Sequence, residues 1–365
     1  MDTSDPSIKF TEEGICDNCI QFESVTKQYW QQKQKNKEEF RKNINQIKSN
    51  KRKKYDCILG LSGGIDSSYM LHYAVKKLKL RPLVFHVDGG WNSDISVSNI
   101  KFLISKLNLD LFTEVINWEE MRKFQLAFLK SGVPHIDIPQ DHAFISTLYN
   151  FANRNGINWI LNGGNISTEC IRNPLQFFYY GTDMKHINFI RQNFGANKMP
   201  TYPFSSILRH KLWLRYIKRV KVLKVLDYIV YNKSHALEEL VKIYGWKPYP
   251  RKHFESRFTR YFEGYWLPKR FGFDTRRVQF SSLICTNQMS REEALEKLKS
   301  PEFSEEEAIS ETKYVANKLK ITYEELIKYR DMEKKYYDDY PHSLSLFQFG
   351  AKFMQKFGLE AGIKR

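Results

Sequence analysis

From Tyr55 onward the chain alternates short apolar runs with longer amphipathic stretches. Tyr55–Leu61 reads as a buried strand and Arg81–Val87, Leu111–Ile116 and Ile157–Leu161 as further strands, whereas Asp66–Leu80, Ser93–Leu107 and two stretches within Trp118–Asn155 read as helices. Strands separated by helices pair in parallel, because a parallel connection must be long enough to carry a helix. The pattern therefore predicts an α/β domain over residues 55–200, a doubly wound parallel sheet with its ligand at the carboxyl ends of the strands. Residues 1–54 form a cysteine-containing head followed by a Lys- and Gln-rich stretch with few apolar positions, which predicts an exposed helical connector. Beyond about Asn165 the alternation stops, and a second unit is expected to begin near Thr201. Aromatic and basic segments, among them Phe204–Tyr231 and Ser290–Lys299, predict a mostly helical domain over 201–365.

A length of 365 residues fits about two domains at roughly 150 residues each. With 42% hydrophobic residues the chain has material for a real core, which excludes wholesale disorder. No run approaches the ~20 apolar residues of a membrane-spanning helix. Met1-Asp2-Thr3-Ser4-Asp5-Pro6 lacks the basic and apolar regions of a secretory signal, so the cytoplasm is the expected compartment. Five cysteines are too few, and odd in number, for a disulfide framework. The net charge of +17 favours anionic partners without choosing among nucleic acid, nucleotides, phosphorylated sugars and membrane surfaces. Its excess lies largely in Lys27–Lys54 and Arg209–Lys224, and each run also reads as a solvated helix face.

The most informative stretch is Gly60-Leu61-Ser62-Gly63-Gly64-Ile65-Asp66-Ser67-Ser68, set between the first strand and its helix. Successive glycines let the backbone approach an anion, and a helix start offers unpaired N–H groups and the positive end of its dipole. The spelling excludes a Walker A loop, since no lysine occurs between Lys54 and Lys76, and Gly-x-Gly-x-x-Gly is absent as well. Two later turns share the arrangement. His86-Val87-Asp88-Gly89-Gly90-Trp91 closes the second strand, and Leu161-Asn162-Gly163-Gly164-Asn165 closes the fourth, with Glu169 just beyond.

Ser-Gly-Gly-x-Asp-Ser after a strand resembles the pyrophosphate loop of the PP-loop ATP pyrophosphatases, whose adenine nucleotide alpha hydrolase-like fold matches the predicted sheet. These enzymes split ATP between its α and β phosphates and transfer AMP to a substrate oxygen. The resemblance implies ATP and magnesium as cofactors. Ser62, Gly63, Gly64, Ser67 and Ser68 would cradle pyrophosphate, and Asp66 would hold magnesium or orient the loop. Asp88 would lie by the adenine, Gly163, Gly164 and Asn165 would touch ATP, and Glu169 would hold magnesium.

The wider text narrows the family. Met1–Pro6, Gly14-Ile15-Cys16-Asp17-Asn18-Cys19, Val87–Ser93, Lys252–Tyr261, Lys269–Arg277 and Gln288–Leu295 together resemble the N-acetyl sugar amidotransferases of the WbpG/PseA type, from lipopolysaccharide and flagellin sugar pathways. The resemblance implies conversion of an acetamido group on an activated N-acetyl nucleotide sugar to an acetamidino group through an O-adenylated intermediate. Ammonia would come from a glutaminase and synthase pair resembling those of histidine biosynthesis; no nucleic acid is expected. For the sugar pocket it points to Lys252, Glu255, Arg260, Arg276 and Arg277, with Lys269 and His253 as candidate catalytic groups, His253 as a base for ammonia. Cys16 and Cys19 have the spacing of half a zinc knuckle, and Cys285 could add a third ligand. Cys57 and Cys170 are expected in the core. The stretch Phe204–Tyr231 suits a packed amphipathic helix, a membrane or tRNA face, or a docking face for the ammonia supplier. The alternative function is a PP-loop tRNA-thiolating enzyme, and a third is a non-catalytic sugar-binding protein.

Overall fold

Five apolar runs pair in parallel as a single sheet in the order β3-β2-β1-β4-β5: β1 is Cys57–Gly60, β2 Pro82–Asp88, β3 Leu111–Val115, β4 Trp159–Leu161 and β5 Lys221–Leu223. This is a computed structural model that describes residues 1–49, 53–206, 209, 217–249 and 253–356. Alternate residues of β1 face opposite layers, as the period of two in a strand requires. Cys57 and Leu59 pack with Met70 and Leu71 of the helix Ile65–His72 and with Leu103 and Leu107 of the helix Asp94–Leu107. Ile58, with Phe85 and Ile160, packs with Ala152 of the helix Ile138–Arg154. Helices thus cover both faces, and the expected doubly wound α/β sheet is present. From β1 the chain runs outward to β2 and β3, then crosses to β4 and β5. The order reverses between β1 and β4, and a crevice at that point is where open α/β sheets bind ligands.

Three expectations need correction. The connector is not merely exposed: Phe40, Ile44 and Ile47 recur at helical spacing along Lys37–Lys48, and the two isoleucines are buried in the sheet's core. Phe40 also stacks on Tyr228 at 5.0 Å. Second, Phe204–Tyr231 is not one helix. Its described part contains β5 and a 3-10 turn at Val225–Tyr228; residues 207, 208 and 210–216 lie outside the described residues. β-branched Val220, Val222 and Val225 favour extended backbone, and exposed Lys221, lying over the Trp159 ring at 5.0 Å, suits an edge strand that must not recruit another. Third, the boundary expected at residue 200 falls inside this unit. β5 completes the sheet, and Leu240 and Tyr244 of the helix Lys233–Tyr244 share the core of β1.

The rest of the chain is helical around a second core of Trp91, Phe258, Phe262, Trp266, Phe273, Val315 and Leu326, to which Phe22 of the head contributes. The helix expected at Ser290–Lys299 is Arg291–Leu298, started by a capping box of Ser290 and Glu293. Among the described residues no helix is long and apolar enough to cross a membrane.

Candidate functional site

The turn after β1 is built for close approach. Gly63 has φ +89°, a conformation that disfavours side chains, and a Cβ there would come within 2.9 Å of Ser96 Oγ. Ser96 Oγ donates to the Ser62 carbonyl at 3.0 Å, and Tyr249 Oη donates to the Gly63 carbonyl at 3.1 Å. Gly64 is the N-cap of the following helix and supplies no side-chain cap, which leaves the helix start open to an anion. The Ser62 and Ser67 hydroxyls lie 3.1 Å apart, and Ser62 Oγ accepts the Gly64 N–H at 3.2 Å. Ser68 departs from expectation. It is fully buried, and its Oγ accepts from Trp246 Nε1 at 3.2 Å, so its side chain faces the core and not the anion side.

The turn after β4 stands against this loop. A Cβ on Gly163 would meet the Ser67 backbone nitrogen at 3.1 Å, so glycine permits the two turns to touch. Gly164 N–H donates to Asn162 Oδ1 at 2.7 Å, and a Cβ on Gly164 would lie 3.4 Å from Glu169 Oε2 and 3.7 Å from Lys224 Nζ. Asn165 also departs from expectation. It is a buried helix cap whose Oδ1 accepts from Thr168 N–H at 2.9 Å and whose Nδ2 donates to the Gly163 carbonyl at 3.2 Å, so it shapes the turn.

Tyr231 links the carboxylates. Its hydroxyl donates to Asp66 Oδ1 at 2.5 Å. Burial first, then the negative charges of Asp66 and Glu169, push that hydroxyl far above its ordinary range, so it stays a donor. Two carboxylates beside a phosphate-sized turn suit magnesium, which completes its shell with phosphate oxygens and water. Among the described residues no group of three or more His, Cys, Asp or Glu side chains is arranged to hold a metal alone, so the nucleotide would have to supply ligands. Lys224, Tyr231 and Tyr249 escaped sequence reasoning. At the end of β2, Asp88 Oδ1 accepts the Gly90 N–H at 2.8 Å, closing the turn beside the loop.

The residues expected in the sugar pocket do not converge. Lys252 lies outside the described residues. His253 holds a left-handed conformation with φ +65°. Glu255 reaches the phosphate loop: a Cβ added at Gly64 would overlap its carboxylate. Arg260 sits 4.6 Å from both the Phe254 and Phe303 rings and 3.8 Å from Glu311. Lys269 is exposed beside Asp331, whose carboxyl is held low chiefly by Arg330 and to a lesser degree by Lys269. Arg277 pairs with Asp2. Arg276 is buried, forks onto Asp274 and donates to the carbonyls of Lys297 at 3.1 Å and Ser300 at 2.9 Å. Arg260, Arg276 and Arg277 therefore answer internal charges, carbonyls and rings, where the sequence suggested a sugar anion. Arg276→Met should lower stability by about 3 kcal/mol, because it strands the half-buried Asp274 carboxylate and two carbonyls. Thermal unfolding measures this; a raised sugar KM with unchanged stability would restore Arg276 to the pocket.

Residues 255–354 match the family model of the LPS biosynthesis protein WbpG-like, C-terminal domain. Over that segment the chain is similar to WbpG-like proteins. The family is the one the sequence motifs resemble, and the matched segment begins at Glu255, the residue that touches the loop. Two solved structures show weaker likeness. One is the NH3-dependent NAD synthetase from Campylobacter jejuni subsp. jejuni NCTC 11168 in complex with the nitrate ion, 16% identical, covering 61% of this chain and 99% of that one with a TM-score of 0.30. The other is NMN synthetase from Francisella tularensis, 18% identical, covering 60% and 98%, with a TM-score of 0.28. No curated protein matches the chain in sequence.

The WbpG-like segment also brings Cys285 to three other thiols. All are free thiols: Cys16 Sγ lies 3.4 Å from Cys19 Sγ, Cys19 shares a hydrogen bond with Cys285, and Cys285 shares one with Cys170, whose Sγ faces the Ser282 carbonyl at 3.6 Å. The bond to Cys170 pushes the Cys285 thiol up to about 12, and the same contact lowers that of Cys170. Cys170 is buried, as expected, but as part of this row; Cys57 lies in the core under β1. No zinc site is formed by Cys16 and Cys19 with a third described ligand.

Proposed function

We propose that the protein is an ATP-dependent amidotransferase acting on an N-acetyl sugar, a cytoplasmic enzyme of surface-polysaccharide or flagellin-glycan biosynthesis. The observation that carries the reading is the pair of touching glycine turns at the carboxyl ends of adjacent strands β1 and β4, with Asp66 accepting from the Tyr231 hydroxyl at the first turn and Glu169 close to Gly164 at the second. Such a crevice suits a polyphosphate, and the match of residues 255–354 to an LPS-biosynthesis domain supports a sugar as the class of substrate.

The chemistry explains the need for ATP. An amide carbonyl is a weak electrophile with a poor leaving oxygen. Its oxygen attacks the α-phosphorus, the α–β phosphoanhydride bond breaks and pyrophosphate departs. Ammonia then adds to the O-adenylated imidate carbon, the carbon–oxygen bond breaks with AMP leaving, and loss of a proton gives the amidine. The Ser62 and Ser67 hydroxyls and the loop amides would hold the departing pyrophosphate, a preorganised field of which one donor is typically worth ~3 kcal/mol. Asp66 and Glu169 would hold magnesium, which offsets the phosphate charge when bound. Tyr231 would fix the Asp66 carboxylate. A glutaminase and synthase pair would deliver ammonia.

Incubated with ATP, magnesium and excess ammonium, the protein should form AMP only when an acetamido sugar is added; no AMP across a panel of nucleotide-linked acetamido sugars would contradict the reading. A second reading, tRNA thiolation, is favoured by the row of thiols that reaches Cys170, the residue after Glu169. Sulfur appearing in tRNA under the same conditions would select it.

A further inference from the structure

Glu255 was expected at the sugar, yet its carboxylate lies on the phosphate loop. A Cβ built on Gly64 would overlap Glu255 Oε1, would come within 2.9 Å of Glu255 Cδ, and would lie 3.3 Å from Ser62 Oγ. The carboxylate thus sits over the loop on the side of the Ser62 hydroxyl. Its negative charge also reaches Tyr249, the residue whose hydroxyl donates to the Gly63 carbonyl.

The position is fixed by main chain. Ser93 N–H donates to the Glu255 carbonyl at 2.8 Å, Asn92 and Ser256 form an antiparallel bridge, and Arg257 N–H donates to the Trp91 carbonyl at 2.9 Å. The first residues of the WbpG-like segment are therefore stitched to the turn after β2, and from there one side chain crosses to the turn after β1. Gln140 Nε2 extends the same stitching, donating to Ser256 Oγ at 3.1 Å and Thr259 Oγ1 at 3.0 Å.

A carboxylate and a pyrophosphate cannot share one small cradle, because like charges at contact distance repel strongly where water is thin. We propose that Glu255 belongs to the nucleotide site and competes with the polyphosphate of ATP for the loop. ATP binding displaces the carboxylate, and the backbone ties at 255–257 pass that displacement to the start of the WbpG-like segment. Glu255 is thereby a positioning residue that couples nucleotide loading to the start of the segment that the family model matches. The inference rests on the ATP reading of the loop.

The test titrates the full-length protein with magnesium pyrophosphate by calorimetry, comparing wild type with Glu255→Gln and Glu255→Asp. Removing the charge should tighten pyrophosphate binding about tenfold in Glu255→Gln. The shorter Glu255→Asp, which keeps the charge but withdraws it from Gly64, should also bind more tightly than wild type and serves if the glutamine variant does not fold. The KM for ATP should fall in parallel. A merely structural role would weaken binding or leave it alone. Equal affinity in both variants and wild type overturns the proposal, and weaker binding in Glu255→Gln overturns it by making the carboxylate a ligand of the metal. If neither wild type nor variants bind pyrophosphate, the ATP reading fails too; if wild type binds and the variants bind no better, only the role of Glu255 fails.

Discussion

Asp66→Ala should abolish pyrophosphate release, with turnover falling at least about a thousandfold, while the protein stays folded. Asp66 stands in the first turn of the helix that the phosphate loop opens, accepts a hydrogen bond from the Tyr231 hydroxyl, and is half-buried. Its removal takes a negative charge from the place where two carboxylates would hold magnesium. The structural cost is small, since one partner of the Tyr231 hydroxyl is lost, about 1 kcal/mol. Asp66→Asn separates the two roles. It keeps an acceptor for Tyr231 and loses the charge, so it should unfold like wild type and be as inactive as the alanine variant. Ser62→Ala should slow the reaction as well, because that hydroxyl orders Gly64 and Ser67. Pyrophosphate release assays with thermal unfolding check all three, and wild-type turnover in Asp66→Ala together with Ser62→Ala would remove the loop from the mechanism.

The largest expected loss of stability belongs to a residue to which the sequence assigned no role. Arg270 is buried, and its guanidinium donates to the carbonyls of Arg330, Met332, Glu333 and Gly132. Those carbonyls belong to the last turn of the helix Tyr323–Asp331, to the residues just after it and to the C-cap of the helix Trp118–Ser131, so one side chain satisfies backbone from two distant segments. Arg270→Met fills much of the space and supplies no donor. Four acceptors would be left to find partners, a cost of about 4 kcal/mol. Denaturant unfolding should show the unfolding free energy falling by that amount, and Arg270→Lys should recover only part, since an ammonium cannot span the fork. Unchanged stability in Arg270→Met would mean that solvent replaces the guanidinium.

The contrast between Arg270 and its neighbours shows what sequence could and could not disclose. Strands β1 to β4 were legible because each is an apolar run of limited length bounded by turns, and the phosphate loop because its glycines and serines are adjacent in the text. β5 was not. Its three residues lie in a basic stretch, and only pairing with β4 makes them a strand. Tyr231 meets Asp66 across 165 positions and Tyr249 meets Gly63 across 186, separations that carry no local pattern. Cations mislead for a related reason. Arg260, Arg276 and Arg277 have the composition of an anion pocket, yet an arginine fork suits an internal carboxylate or a row of carbonyls as well as a sugar phosphate. The thiols follow the same logic, since the four in the row come from the head, the turn after β4 and the helix Arg276–Cys285.

The most direct measurement is mass spectrometry of nucleotide-linked N-acetyl sugars after incubation with the protein, ATP, magnesium and concentrated ammonium, which replaces the glutaminase. The account predicts a sugar in which one oxygen has been exchanged for NH, with one AMP formed for each exchange and neither product in Asp66→Ala. Sugars of unchanged mass alongside tRNA that has gained sulfur would contradict it.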